Sequence, residues 1–246
     1  MTGRLVLCIT IGFVVAACEP NLERSATPPF SPPISPSPTA AFSPFPAPSP
    51  SGSSAFHGTV EVVDAETRAG MIESGSWKPG CPVSIEDLRI LRLGYWGFDG
   101  AVHEGELVVN KDVATDVVGV FRALFANRFP IRRMVPVDAF GADDDRSMAA
   151  NNTVAFNCRP VTGATGVWSQ HAYGRAIDIN PVQNPYVSGT TVAPRAGEAF
   201  LDRSLAVRGM IHSGDTAVRA FEAIGWGWGG SWHSLKDYQH FSATGT

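Results

Sequence analysis

Ten of the chain's nineteen prolines fall between Pro28 and Pro50. In the surrounding stretch, SATPPFSPPISPSPTAAFSPFPAPSPSGSS, proline fixes φ and removes backbone donors, while the serines offer little to bury. No helical or strand period runs through it. Residues from about Ser25 to Ser54 are therefore expected to form a disordered, semi-extended tether, with a reach on the order of 90 Å at full polyproline II extension. Whatever packs must come after that break. This points to one folded domain over residues 56–246, a size typical of a single hydrophobic core.

Ahead of the tether, MTGR supplies a basic start and Leu5 to Ala17 is an apolar run of thirteen residues, short for a bilayer span and suited to a secretory signal. The run ends in VAAC, which resembles a bacterial lipobox. On that reading residues 1–17 are a lipoprotein signal peptide. Cys18 becomes the acylated N-terminus, and residues 18–55 form a lipid-anchored linker. Acyl chains contribute about 0.8 kcal/mol per buried methylene, so such a cysteine holds a protein to a membrane without a spanning helix. The expected location is the outer face of the bacterial cytoplasmic membrane, facing the cell wall. The formal net charge of −4 carries no polybasic footprint for nucleic acid. A monomer is expected.

Export also organises the cysteines. Of four, Cys8 leaves with the signal and Cys18 is assigned to lipid, so Cys81 and Cys158 remain as a pair in an oxidising compartment, where a disulfide is expected.

KDVATDVVGVFRALFANRF carries Val113, Val117, Val120, Phe121, Leu124 and Phe125 at helical spacing. RMVPVDAF, TVAFNCR and RAIDIN are short β-rich runs, and SGDTAVRAFEAIG reads as a helix from a Ser213 cap to a Gly225 stop. A helix, then strands divided by loops, then a helix and a last short strand around His240 predict an α+β fold with a small, mainly antiparallel sheet flanked by helices.

The chemistry gathers in two segments. SQHAYGRAIDIN sets His171 and Asp178 seven positions apart, with Gly174 able to turn the chain so that both converge. The tail GWGWGGSWHSLKDYQHFSA offers His233 or His240 as a third ligand, and only His240 has a carboxylate, Asp237, three residues before it. Imidazoles and a carboxylate around an open position are what a hydrolytic zinc centre requires, with a general base beside the water. His171, Asp178 and His240 are therefore the expected Zn²⁺ ligands and Asp237 the expected base. Trp226, Trp228 and Trp232 could wall a cleft or cover the core.

SQHAYGRAID resembles the Ser-x-His-x-x-Gly-x-Ala-x-Asp signature of the M15 zinc peptidases, the D-alanyl-D-alanine carboxypeptidase and L-alanyl-D-glutamate endopeptidase family. GWGWGGSWHSLKDYQHF is similar to that family's closing segment, with its Asp-x-x-His. The likeness extends upstream through LRLGYWGFDGAVHEGELVVN, FRALFANRFPIRRM and DDDRSMAANNTVAFNCR. The resemblance implies a zinc peptidase acting on the peptidoglycan stem peptide. A D-Ala-D-Ala carboxypeptidase is expected first; the alternatives are an L-Ala-D-Glu endopeptidase and a module that keeps zinc without catalysis. It also implies an arginine near the reacting carbonyl, for which Arg146 is the candidate. Ser169, which opens the signature, is a candidate for substrate contact or for a turn hydrogen bond.

Overall fold

A computed structural model of the chain describes residues 55–162, 164 and 166–246. The signal peptide, Cys18 and the Pro/Ser-rich tether lie outside the described residues. Within them the fold is α+β, built on three small antiparallel sheets.

The first sheet contains strands β1 (Gly58–Val62), β2 (Leu88–Trp96) and β3 (Val102–Asn110), in that order. The two nine-residue strands pair from Leu88↔Asn110 to Trp96↔Val102 across a turn at Gly97–Gly100. They precede the long helix, so the expected order of helix first and strands afterwards is corrected. Their sequences, LRILRLGYW and VHEGELVVN, show no simple alternation because both faces are covered. Leu91, Leu93, Tyr95, Leu107 and Val109 enter the larger core with helix α2 (Ala114–Ala126). Leu88, Ile90 and Val108 face a smaller cluster shared with Met71 of helix α1 (Ala65–Ser74), Val83, Ile85, Phe156 and Cys158.

Helix α2 occupies the amphipathic stretch, burying Ala114, Val117, Val118, Val120, Phe121, Leu124 and Phe125. It ends at Ala126, and Arg128 then turns left-handed at φ 52°. The last helix, α4 (Thr216–Glu222), is capped by Asp215 rather than Ser213. The Asp215 carboxylate accepts from Ala217 N and Val218 N, which satisfies donors that helix geometry orphans. Two β-rich runs are also corrected. Val137–Phe140 in RMVPVDAF forms a 3₁₀ turn behind Pro136. TVAFNCR pairs only through the single bridges Met134↔Thr153 and Val154↔Asp178 before becoming irregular.

Two smaller sheets follow. One holds β4 (Ala176–Asp178), β9 (His240–Ser242) and β7 (Gly227–Trp228), in that order. The other holds β6 (Thr191–Ala193), β5 (Tyr186–Ser188) and β8 (Lys236–Asp237). Phe241 at the centre of β9 stacks on Phe221 of α4 at 4.1 Å, seating the C-terminal sheet on the larger core. Cys81 and Cys158 are joined in a disulfide with a Cα separation of 5.8 Å. It spans 77 positions, which in the chain-entropy model is worth about 4.5 kcal/mol.

Candidate metal centre

Three local devices bring the expected ligands together. Ser169 caps the 3₁₀ turn Gln170–Tyr173, its Oγ accepting from His171 N at 3.3 Å, so the hydroxyl takes the turn role while also lining the cavity below. Gly174 ends that turn at φ 66° and its carbonyl accepts from Asn110 N at 2.9 Å. A Cβ there would lie 2.6 Å from Asn110 N, so only glycine allows the turn to dock on the end of β3. Strand β4 then carries Asp178 directly opposite His240 on β9. The register of one short antiparallel pair thus makes neighbours of residues 62 positions apart.

All three side chains are buried. His171 Nε2 lies 3.3 Å from His240 Nδ1 and 3.2 Å from Asp178 Oδ2, and His240 Nδ1 lies 2.9 Å from Asp178 Oδ1. A tetrahedral zinc site with bonds of about 2.0–2.1 Å spaces its donor atoms roughly 3.3 Å apart. The two imidazole nitrogens lie at about that spacing from each other, and each has one oxygen of the Asp178 carboxylate within the same range, so these residues can hold a metal ion. The Nδ1–H of His171 donates to Ala155 O, which fixes the tautomer that leaves Nε2 free as a ligand. Burial works against ionising Asp178, but the charges and hydrogen bonds of His171 and His240 outweigh it and hold the carboxyl well below the usual range.

Asp237 sits on β8, paired with Tyr186, and Gly229 packs against it so closely that a Cβ would lie 2.6 Å from Asp237 O. Its Oδ1 is shielded from solvent and has no hydrogen-bond partner among the described residues. Burial, and then the nearby charge of Asp178, push this carboxyl up from 3.8 to about 6. Two carboxylates in one site thus differ sharply in proton affinity, which suits one to bind a cation and the other to exchange a proton.

The centre opens into a cavity of about 660 Å³ whose walls include Met148, Arg159, Trp168, Tyr186, Trp232 and Gln239. Trp232 packs on His240 at 5.5 Å between ring centres, whereas Trp226 and Trp228 are buried in the larger core. His233 is exposed and does not line the cavity.

Arg146, the arginine expected near the reacting carbonyl, is not brought to the metal cluster. It is exposed on helix α3 (Asp144–Ala149), and it is absent from the cavity wall. The guanidinium at the site belongs to Arg159. It pairs with Asp144, and Nη1 donates to Pro160 O at 3.2 Å. It lines the same cavity as Asp178 and Asp237; burial lowers its proton affinity more than the charges of those carboxylates raise it. In the sequence Arg159 was one of several upstream arginines; its position next to Cys158 was the available signal.

Residues 162–243 match the family model described as D-alanyl-D-alanine carboxypeptidase, one of the M15 peptidases. The match covers about a third of the chain, and over it the chain is similar to the M15 peptidases. No curated protein and no solved structure matches the chain. The M15 segment contains Ser169, His171, Asp178, Asp237 and His240, while Arg146, Cys158 and Arg159 precede it. At the level of the family, the match supports a peptidase acting on peptidoglycan.

Proposed function

We propose that the protein is a zinc-dependent peptidase that hydrolyses a bond in the peptidoglycan stem peptide, with D-Ala-D-Ala carboxypeptidase as the first reading. The observation that carries it is the buried cluster of His171, Asp178 and His240, whose nitrogens lie 3.3 Å apart and each within 3.2 Å of an Asp178 oxygen, with the Asp237 carboxyl on the wall of the same cavity. His171 Nε2, an Asp178 oxygen and His240 Nδ1 would hold the zinc. When bound, zinc supplies Lewis-acid polarisation of the scissile carbonyl and of the attacking water. Asp237 takes the water's proton on a carboxylate oxygen and returns it to the departing nitrogen, a task that favours a proton affinity near working pH. Arg159 steadies the oxygen that gains negative charge. Trp232 and Trp168 wall the site against bulk water.

A cation is the strongest recognition element for a terminal carboxylate. Among the described lining residues, the only lysine or arginine is Arg159, and it already pairs with Asp144. That observation favours an L-Ala-D-Glu endopeptidase as the second reading. Purified protein incubated with muropeptides, with and without chelator, separates the two by product mass. Release of one alanine identifies the carboxypeptidase, a cut between L-Ala and D-Glu identifies the endopeptidase, and intact substrate overturns both.

We also propose that Cys18 is acylated and tethers the domain at the membrane face of the wall, on the strength of VAAC followed by the Pro/Ser-rich run. Cys18→Ala should move the protein from the membrane fraction to the soluble exported fraction. A wild type that is already soluble would remove the anchor.

A further inference from the structure

Arg159 reaches the cavity from backbone that belongs to no helix or strand. Residues 155–159 run between the bridges Val154↔Asp178 and Pro160↔Trp168. Isolated hydrogen bonds hold this run to three separate parts of the molecule: Phe156 N to Val108 O at 3.0 Å, Asn157 N to His171 O at 3.2 Å, and Cys158 N to Ser76 O at 2.9 Å. The boundary between the two hydrophobic clusters crosses it. Ala155, whose carbonyl orients His171, belongs to the larger cluster; Phe156 and Cys158 belong to the smaller one.

The metal-binding half of the site therefore rests on the larger core, and the arginine rests on the smaller. The smaller cluster is thinly built on its far side, where α1 buries only Met71. Trp77, Cys81 and Trp168 complete it as partly buried neighbours. The Cys81–Cys158 bond is the covalent tie across it, attached to the residue immediately before Arg159. Trp168 leans on the same cluster and lines the cavity. One wall of the cavity is thus backed by the disulfide.

We propose that the Cys81–Cys158 disulfide is a positioning element for Arg159. With the bond in place, the guanidinium is held against Asp144 on the wall of the cavity that Asp178 and Asp237 also line. Without it, the metal ligands stay together and the arginine loses its aim. The catalytic consequence rests on the peptidase reading above; the geometric consequence does not.

The test uses the full chain with its disulfide, a Cys81→Ala/Cys158→Ala variant, and each of these combined with Arg159→Ala. The disulfide-free variant should bind as much zinc per chain as the wild type. Phenylglyoxal should modify its Arg159 at least fivefold faster by peptide mass analysis, with the exposed Arg146 reacting at an unchanged rate as the internal control. Muropeptide turnover should fall about 10²–10³-fold, a loss of the size expected when an oxyanion-stabilising donor is displaced. Removing Arg159 from the disulfide-free chain should then cost less than threefold, although the same change in the intact chain costs far more. A bond that serves the fold alone would give additive losses. Additive losses or an unchanged Arg159 labelling rate would overturn the proposal. If the double variant fails to fold by circular dichroism, Cys81→Ala alone, which keeps the buried Cys158 side chain, carries the same measurements. Failure of both to fold would make the bond a condition of folding and overturn the proposal as well. A wild type inactive on muropeptides would sink the peptidase reading, while the labelling comparison would still decide whether the disulfide aims Arg159.

Discussion

Asp237→Asn should make the zinc-free protein more stable at neutral pH while nearly abolishing turnover. The carboxyl is raised in the fold from 3.8 to about 6, by burial first and by the charge of Asp178 second. A carboxyl raised on folding is ionised at the expense of stability. The penalty is fully present above about pH 6 and disappears below about pH 4, where folded and unfolded chains both carry the proton. At about 1.4 kcal/mol per pH unit, a rise of this size corresponds to about 3 kcal/mol at pH 7.5. The residue as a whole is only partly buried, and an asparagine amide inherits the partnerless environment of Oδ1, so about 1–2 kcal/mol should survive as a net gain. Urea unfolding of chelated wild type and variant at pH 7.5 and 4.5 measures it: the variant should lead at pH 7.5, and the gap should close at pH 4.5. In the zinc-loaded protein the same change should lower the rate about 10²–10⁴-fold with metal content intact, the usual cost of a lost general base. A variant no more stable than wild type at pH 7.5 would refute the electrostatic argument. Near-normal turnover would refute the role of Asp237 as base.

Three further outcomes follow from the same geometry. His240→Ala should lose zinc stoichiometry by metal analysis, whereas His233→Ala, exposed and outside the cavity, should keep it. Arg159→Ala should reduce kcat about 10²–10³-fold, in line with the loss of an oxyanion-stabilising donor, while Arg146→Ala should stay within about threefold of wild type in the same assay. Gly174→Ala forces a side chain onto φ 66° and against Asn110 N at 2.6 Å, so thermal unfolding should show a loss of more than about 2 kcal/mol and weakened zinc binding.

The chain's linear pattern carried much of this site. The spacing of His171 and Asp178 across Gly174, together with Asp237 three residues before His240, was enough to nominate four residues that the structure places on the lining of one cavity. A turn glycine and a two-strand register are local devices, and local devices leave a mark in sequence. Helix α2 was legible for the same reason, because one face is apolar at the helical period and the other is wet.

Strands β2 and β3 were not legible as alternating strands, because burial on both faces erased the period-two signal. Arg146 and Arg159 could not be told apart by residue type or by distance along the chain. Which guanidinium enters the cavity depends on how the run 155–159 is pinned between two cores and a disulfide. The sequence by itself determined which side chains could serve as ligands and base, since that chemistry depends on residue types held at short range. The tertiary structure alone decided which arginine faces them and how far apart two nearby carboxylates lie in proton affinity, since long-range packing sets the position of charge and the exclusion of water.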